Sequence, residues 1–188
     1  MSAGATGWRA TAAEAARTAF GLAAVLAATA AVLLFVDAWP AWLAGQARDV
    51  RRARTVDEAE RRLRTRLVLP SYFPDTLAWP PVAVRFTLGP PGAAALQVAG
   101  RDGRPRALLA ETVAPGEIPE RLVPPAAPLG SAPLDVNGRP GRLARVVGED
   151  GEVWNELAWE QDGRSLLLRS RGSIDELLRM ARSAREVP

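Results

Sequence analysis

The chain has 188 residues, which is enough for one membrane segment and one modest domain. It contains no cysteine and no histidine, which excludes disulfides, thiolate chemistry and any site that needs an imidazole. The basic residues are all arginine, and a net charge of +3 is too small to indicate a nucleic-acid-binding protein.

The first predicted element is an apolar helix at Thr18–Val36, a stretch without any charged residue. At 1.5 Å per residue it extends about 28 Å, close to the hydrocarbon thickness of a bilayer. Trp8 before it and Trp39 after it are typical of the two membrane interfaces. We therefore predict a tail at 1–17 and a transmembrane helix at 18–36. The alternatives are a signal peptide cleaved near Gly45–Ala47 and a buried core helix.

The charged residues on the two sides of this segment give conflicting predictions of its orientation in the membrane. Arg17 before it and Asp37 after it favour a cytoplasmic N-terminus, whereas a count of arginines favours a cytoplasmic C-terminal side. The arginines that decide this count are Arg48, Arg51, Arg52 and Arg54. Composition alone therefore leaves the orientation open.

Residues 37–54 are predicted to form a juxtamembrane linker, and the domain is predicted to begin at Thr55 and extend over 55–188. Thr55 and Glu58 have the spacing of a capping box, which predicts a short helix that ends near Arg66. The alternative is that this segment is a solvated linker with no dedicated lipid or nucleic-acid site, because acidic residues dilute its positive charge. The candidates for contact with anionic lipid headgroups are Arg48, Arg51, Arg52 and Arg54.

The remainder of the domain is predicted to be a series of antiparallel strands joined by tight turns. Residues 82–89 alternate between large apolar and other residues, which is typical of a half-buried strand. Asn137-Gly138 and Asp162-Gly163 are favoured in two-residue hairpins. Residues 114–133 are rich in proline and predict a loop with one short turn at Ile118–Leu122. The other predicted strands are 93–100, 106–113, 134–136, 139–148, 153–160 and 164–170.

A short amphipathic helix is predicted near the C-terminus. Ser173 and Glu176 fit a capping box, and Ile174, Leu177 and Leu178 share one helical face. A helix of this length cannot fold alone in water, so its apolar face is expected to lie on the sheet. The predicted fold class is α+β, with the N-terminal transmembrane helix followed by a curved antiparallel sheet. We expect about five to seven strands, with two short helices packed on them.

The two ends of the domain follow a recognisable pattern. "TVDEAERRL" leads to "LVLPSYFP" at the start, and the chain ends with "LAWEQDGRSLLLRSRGSIDELLRMARS". Together these stretches resemble an uncharacterised family of bacterial membrane-anchored ectodomains. The ending is also similar to that of periplasmic proteins related to lipoprotein-sorting carriers and sigma-factor regulators. The chain departs from the pattern at Pro74–Leu77, where the family usually has a glycine. The resemblance implies a tethered domain outside the cytoplasm, favours a cytoplasmic N-terminus, and implies no catalytic residues.

The residue patterns predict no catalytic, metal-binding or cofactor-binding site. Glu156 and Glu160 would share one strand face about 13 Å apart, which is rather far for a paired-carboxylate mechanism. Trp79, Trp154 and Trp159 are candidates to line an apolar hollow, and the alternative is that they build the core.

These observations predict a non-enzymatic, single-pass protein of the cell membrane whose C-terminal domain lies outside the cytoplasm. It is expected to act through a protein partner, in envelope sensing or regulation, with no role for nucleic acid. The alternative is a carrier-like module that binds a lipid or a lipoprotein. A deep apolar cavity would favour the carrier, whereas a filled core would favour the protein-contact role.

Overall fold

The structure, a computed structural model, describes residues 50–186. The chain divides into two units, and all of the described residues belong to the second, Asp49–Pro188. The predicted tail at 1–17, the predicted transmembrane helix at 18–36 and Arg48 lie outside the described residues. Neither helix of the described unit is long and apolar enough to cross a bilayer.

The described residues form ten strands and two α-helices. In chain order the elements are β1 (Arg51–Ala53), α1 (Val56–Leu63), β2 (Val68–Pro70), β3 (Leu77–Thr87), β4 (Ala93–Gly100), β5 (Pro105–Thr112), a 3-10 turn (Glu120–Leu122), β6 (Ala126–Val136), β7 (Arg139–Gly148), β8 (Val153–Gln161), β9 (Arg164–Ser170), α2 (Ile174–Arg182) and β10 (Ala184–Glu186).

Eight of the strands form one sheet in the order β1-β3-β4-β5-β9-β8-β7-β6, and all neighbouring pairs are antiparallel. Apart from β1, which pairs with β3 at one edge, the sheet consists of two meanders, β3–β4–β5 and β6–β7–β8–β9. They join where β9 pairs with β5, with Leu109 opposite Leu168. β2 and β10 pair separately as a small two-stranded sheet.

The predicted fold class is wrong in its architecture. The main sheet has eight strands, a second sheet accompanies it, and residues 50–186 contain no apolar transmembrane helix. The predicted strands omit β1, β2 and β10, because three-residue strands are too short to show a period of two. They also omit residues 126–133 of β6, which the prolines assign to a loop. Those prolines are tolerated because β6 is an edge strand.

Two predicted hairpin turns are confirmed. Asn137 and Gly138 have φ values of 54° and 80°, and Asp162 and Gly163 have values of 52° and 75°. Positive φ at both central residues is the type I′ geometry, whose twist matches that of the flanking strands. These turns set the registers of β6 with β7 and of β8 with β9.

Both helices begin at the predicted caps. Ser173 Oγ accepts from the backbone N–H of Glu176, and the Glu176 carboxylate accepts from the N–H of Ser173, so this capping box is confirmed. At α1, Thr55 Oγ1 accepts from the N–H of Glu58 at 3.2 Å. The Glu58 carboxylate accepts from the N–H of Arg54 instead, so only half of the second predicted box forms.

The helices and the small sheet cover one face of the main sheet. Ala59 of α1 and Leu177, Met180 and Ala181 of α2 are fully buried there. Alternate strand residues meet them, including Val84, Phe86, Leu96, Val98, Leu109, Leu157 and Leu168. Burial of this face stabilises the helices, because neither is long enough to fold alone.

The opposite face of the sheet is partly covered by the connection from β5 to β6. Leu122, in the 3-10 turn, is buried against Ala93, Ala95, Leu108 and Ala110. The central strands are therefore buried on both faces. This explains why β4 reads as the nearly continuous apolar run AAALQVAG rather than as an alternation.

A buried carboxylate joins the small sheet to the large one. Glu111 of β5 accepts from the backbone N–H of Val68, at 2.9 and 3.2 Å from its two oxygens. Arg164 of β9 lies 3.9 Å from this carboxylate. Arg164 also donates at 2.7 Å to the carbonyl of Arg66 and to the Glu186 carboxylate. Polar contacts thus hold β2 and β10 to the edge of the core.

Burial raises the pKa of Glu111 to about 8, although the Val68 N–H and Arg164 act in the opposite direction. The folded state therefore keeps a proton that the unfolded state releases above its ordinary pKa of 4.5. Stability contributed by this proton is complete below pH 4.5 and is lost as the pH rises to about 8. Glu111→Gln keeps an acceptor for Val68 and removes the titration.

We expect wild type and Glu111→Gln to have similar unfolding free energies near pH 4.5. By about pH 9 the variant should be more stable than wild type by a few kcal/mol. Each unit of difference between the folded and unfolded pKa of Glu111 corresponds to about 1.4 kcal/mol. Urea unfolding of the full chain, followed by tryptophan fluorescence, measures this. Glu149→Gln, at an exposed carboxylate, is the control. An equal pH dependence in all three proteins would contradict the prediction.

Candidate functional site

The first half of β3 protrudes from the sheet. Leu77 and Ala78 pair with β4, and pairing resumes only at Ala83, so the intervening residues 79–82 are unpaired on that side. On the other side, β1 pairs only with Val84–Phe86. Two prolines within the protrusion supply no backbone N–H, so this edge is poorly suited to adding another strand. Its side chains are therefore its main binding groups.

A groove of about 530 Å³ lies between this protrusion and α1, and we call it the α1–β3 groove. The rings of Phe73 and Trp79 contact each other here, with centroids 5.0 Å apart and planes inclined by 36°. Trp79 is 47% exposed although it is a large aromatic residue. Val56, Leu69 and Pro81 contribute further apolar surface. The groove therefore offers a half-open aromatic surface.

Two arginines lie at the rim of the α1–β3 groove, and only one of them is paired with a carboxylate. Arg66 donates to Glu60 at 2.9 Å, and the buried Glu60 also accepts from the backbone N–H of Leu67. This arginine is therefore held in place. The Arg54 side chain is exposed and forms no ion pair within residues 50–186. It is free to bind a carboxylate or a phosphate from outside the domain.

Further exposed groups lie on the same edge of the sheet as the groove. Arg51 and Arg52 of β1 are exposed, Val82 of β3 is 60% exposed, and Leu88, which follows β3, is 46% exposed. This edge of the sheet therefore carries both exposed apolar side chains and exposed positive charge.

The structure separates the predicted site residues. Arg51 and Arg52 lie in β1, Arg54 lies at the groove, and Arg48 is outside the described residues. The three tryptophans line three different cavities. Trp79 lies in the α1–β3 groove, Trp154 lies in a cavity with Arg85 and Arg171, and Trp159 faces a cavity of only about 20 Å³.

The tryptophans cannot share one hollow because of strand geometry. Trp154 and Trp159 are an odd number of residues apart in β8, so their side chains point to opposite faces of the sheet. Trp159 is 6% exposed and belongs to the core on the helix side. The alternation visible in the sequence already contained this information.

Sequence reasoning missed Phe73 and the prolines of the groove. Phe73 lies in the irregular connection between β2 and β3, where no period of two or 3.6 identifies a face. Pro80 and Pro81 are visible in the sequence, but the pairing of β3 with its neighbours decides that they protrude.

The groups of the α1–β3 groove are aromatic and proline rings, the guanidinium groups of Arg54 and Arg66, and the carboxylates of Asp57 and Glu60. Glu60 is paired with Arg66, whereas Arg54 has no ion-pair partner among residues 50–186. Across the part of the chain that the structure describes, no group of three or more acidic, histidine or cysteine side chains is placed to hold a metal ion.

Comparisons with known proteins do not assign the chain to a family. No family model matches it, and neither a curated protein nor a solved structure matches it. The resemblance of its two ends to membrane-anchored ectodomains stays a prediction. Any proposal about function therefore depends on the geometry of the described domain.

The different surroundings of Trp79 and Trp159 predict different costs of truncation. Trp159→Ala should lower the free energy of unfolding by about 3 to 5 kcal/mol, because it leaves a cavity in the core. Trp79→Ala should cost about 1 kcal/mol or less, because the ring is half-exposed and loses mainly its contact with Phe73. Denaturant unfolding of the full chain measures both, and equal losses would contradict the assignment.

Proposed function

We propose that the described domain is a non-enzymatic interaction domain and that its α1–β3 groove binds a partner protein. The observation that carries this proposal is the contact of the exposed Trp79 with the partly buried Phe73, beside the unpaired Arg54. Tryptophan and arginine contribute most to the affinity of protein interfaces, especially where a rim excludes water around them.

The groove suits a partner segment that combines an apolar side chain with an acidic one. The apolar side chain would pack on the ring of Trp79, and the carboxylate would bind the guanidinium of Arg54. Strand addition is the less suitable mode, because Pro80 and Pro81 offer no N–H groups to a pairing strand.

We also propose that the domain works at the cell membrane, outside the cytoplasm, in envelope sensing or regulation. The uncharged apolar sequence at 18–36 supports a membrane location, and the resemblance of the chain's ends supports the side. The predicted contact of Arg48, Arg51, Arg52 and Arg54 with anionic headgroups is part of this proposal, and the exposure of Arg51, Arg52 and Arg54 supports it.

Photo-crosslinking in cells tests the binding of a protein at the groove. A photoreactive residue at Val82, beside the groove, should form one discrete adduct with a protein. The same residue at Leu129 should form none, because Leu129 is equally exposed, at 60%, but lies on the opposite edge of the sheet. Adding Trp79→Ala should remove the Val82 adduct. Equal adducts at both positions, or an adduct that survives Trp79→Ala, would refute the proposal.

The alternative, a carrier-like module for a lipid or a lipoprotein, has less support. Between the helices and the main sheet, the apolar cavity beside Trp159 has a volume of about 20 Å³. Sites for small molecules typically have several hundred Å³, so this core is filled. Native mass spectrometry of the purified full chain should therefore show no stoichiometric lipid that survives release from detergent. A retained lipid would favour the carrier.

A further inference from the structure

A second cavity, of about 300 Å³, lies on the face of the main sheet opposite the helices, and we call it the Arg85 cavity. Its apolar lining includes Ala83, Ala95, Leu108 and Leu122. It shares no residue with the α1–β3 groove, so the two sites can be tested independently. Its volume lies at the lower end of the range for small-molecule sites.

One of its arginines is fully engaged by the protein. Arg169 donates to the Glu156 carboxylate from Nε at 2.9 Å and from Nη2 at 2.5 Å. Its Nη1 donates to the carbonyl of Pro124 at 2.8 Å. Glu156 and Arg169 lie directly opposite each other on β8 and β9, so the pair neutralises both charges within the cavity wall.

A second arginine is engaged on one side only. Arg171 donates from Nη2 to Asp150, and its guanidinium lies 4.3 Å from the centre of the Trp154 ring. Its Nε is buried without a hydrogen-bond partner, and no other buried side-chain nitrogen or oxygen in the described residues lacks one. An unpaired buried donor is costly, so the protein leaves the polar groups of this cavity incompletely satisfied.

The third arginine has no partner in the described residues. Arg85 forms no hydrogen bond or ion pair with its side chain, and the neighbouring Gln97 amide is likewise unbonded. Arg85 also lies directly opposite Arg52 across β1 and β3. Like charges at directly opposed positions destabilise a sheet. The fold itself gains nothing from this arrangement, whereas a bound anion would offset the repulsion.

The charge balance of the cavity favours an anion over a cation. The carboxylates of Asp150 and Glu156 are already bound by Arg171 and Arg169, whereas the guanidinium of Arg85 is free. Glu149, the remaining acidic residue of the lining, is exposed to solvent.

We propose that the Arg85 cavity binds a small organic carboxylate that carries a short apolar body. The carboxylate binds the Arg85 guanidinium and the amide N–H of Gln97, and the apolar body packs on Leu108 and Leu122. A planar guanidinium matches a carboxylate with two parallel hydrogen bonds. The cavity holds a volume equal to that of about ten water molecules, which limits the ligand to a short chain or a single ring.

Titration calorimetry of the full chain in lipid nanodiscs, with empty nanodiscs as the baseline, tests this proposal. The probes are hexanoate, hexan-1-ol, which keeps the chain without the charge, and inorganic phosphate, which keeps a charge without the chain. We expect hexanoate to bind at least about ten-fold more tightly than either control, because the site needs both parts.

Two matched variants locate the binding. Arg85→Gln should weaken hexanoate binding by about ten-fold, through loss of a charge-assisted hydrogen bond. Arg142→Gln should leave it unchanged, because Arg142 is exposed on β7 and does not line the cavity. The melting temperature of Arg85→Gln should be equal to or higher than that of wild type, since the repulsion from Arg52 is gone.

Three results would overturn the proposal. They are the absence of hexanoate heat above the baseline, binding of hexan-1-ol as tight as that of hexanoate, and unchanged affinity in Arg85→Gln. The indole N–H resonance of Trp154 gives a second, local measurement, because this ring lines the cavity. It should shift on addition of hexanoate to wild type, and a shift of the same size in Arg85→Gln would also overturn the proposal.

Discussion

The pairing of β5 with β9 is the contact on which the rest of the structure depends. It joins two meanders that are each local in sequence, and it places Leu109 opposite Leu168. The apolar positions of both meanders then lie on one face, where α2 and the small sheet can cover them. The same pairing sets Glu111 at the junction with β2 and brings Arg85 and Arg169 to one cavity. Without this pairing, the hairpins could form. The core, the Glu111 contact with β2 and the Arg85 cavity could not.

Several arginines of this domain each bind two or more groups that a shorter polar side chain could not reach together. Arg164 links the connection after α1 to β10, and Arg169 holds both Glu156 and the Pro124 carbonyl. Arg171 combines an ion pair with a stacking contact on Trp154. A planar group with five donors can bind several acceptors at once, which suits a buried junction. Arg85 has the same chemistry without any internal acceptor, which is why its cavity differs from a structural contact.

How far each feature could be predicted depends on the range of the interaction that forms it. The turns at Asn137-Gly138 and Asp162-Gly163 need only a local backbone preference, and the Ser173 cap needs only a partner three residues away. The strand at 126–133 could not be predicted from the sequence. Its prolines are acceptable only in an edge strand, and the order of the sheet decides which strand is at the edge. The α1–β3 groove could not be predicted either, because the contact of Phe73 with Trp79 depends on an irregular connection that has no periodic sequence pattern.

The sequence by itself determined where the described chain turns, where its helices begin and which residues of each strand share a face. These properties depend on backbone dihedral angles and on contacts within a few residues, so the local sequence specifies them. Only the tertiary structure decided that Trp79 is exposed, that Trp159 is buried, and that Arg85 is left unpaired. Burial and charge pairing depend on which strands become neighbours, and strand pairing brings together residues that are far apart in the chain.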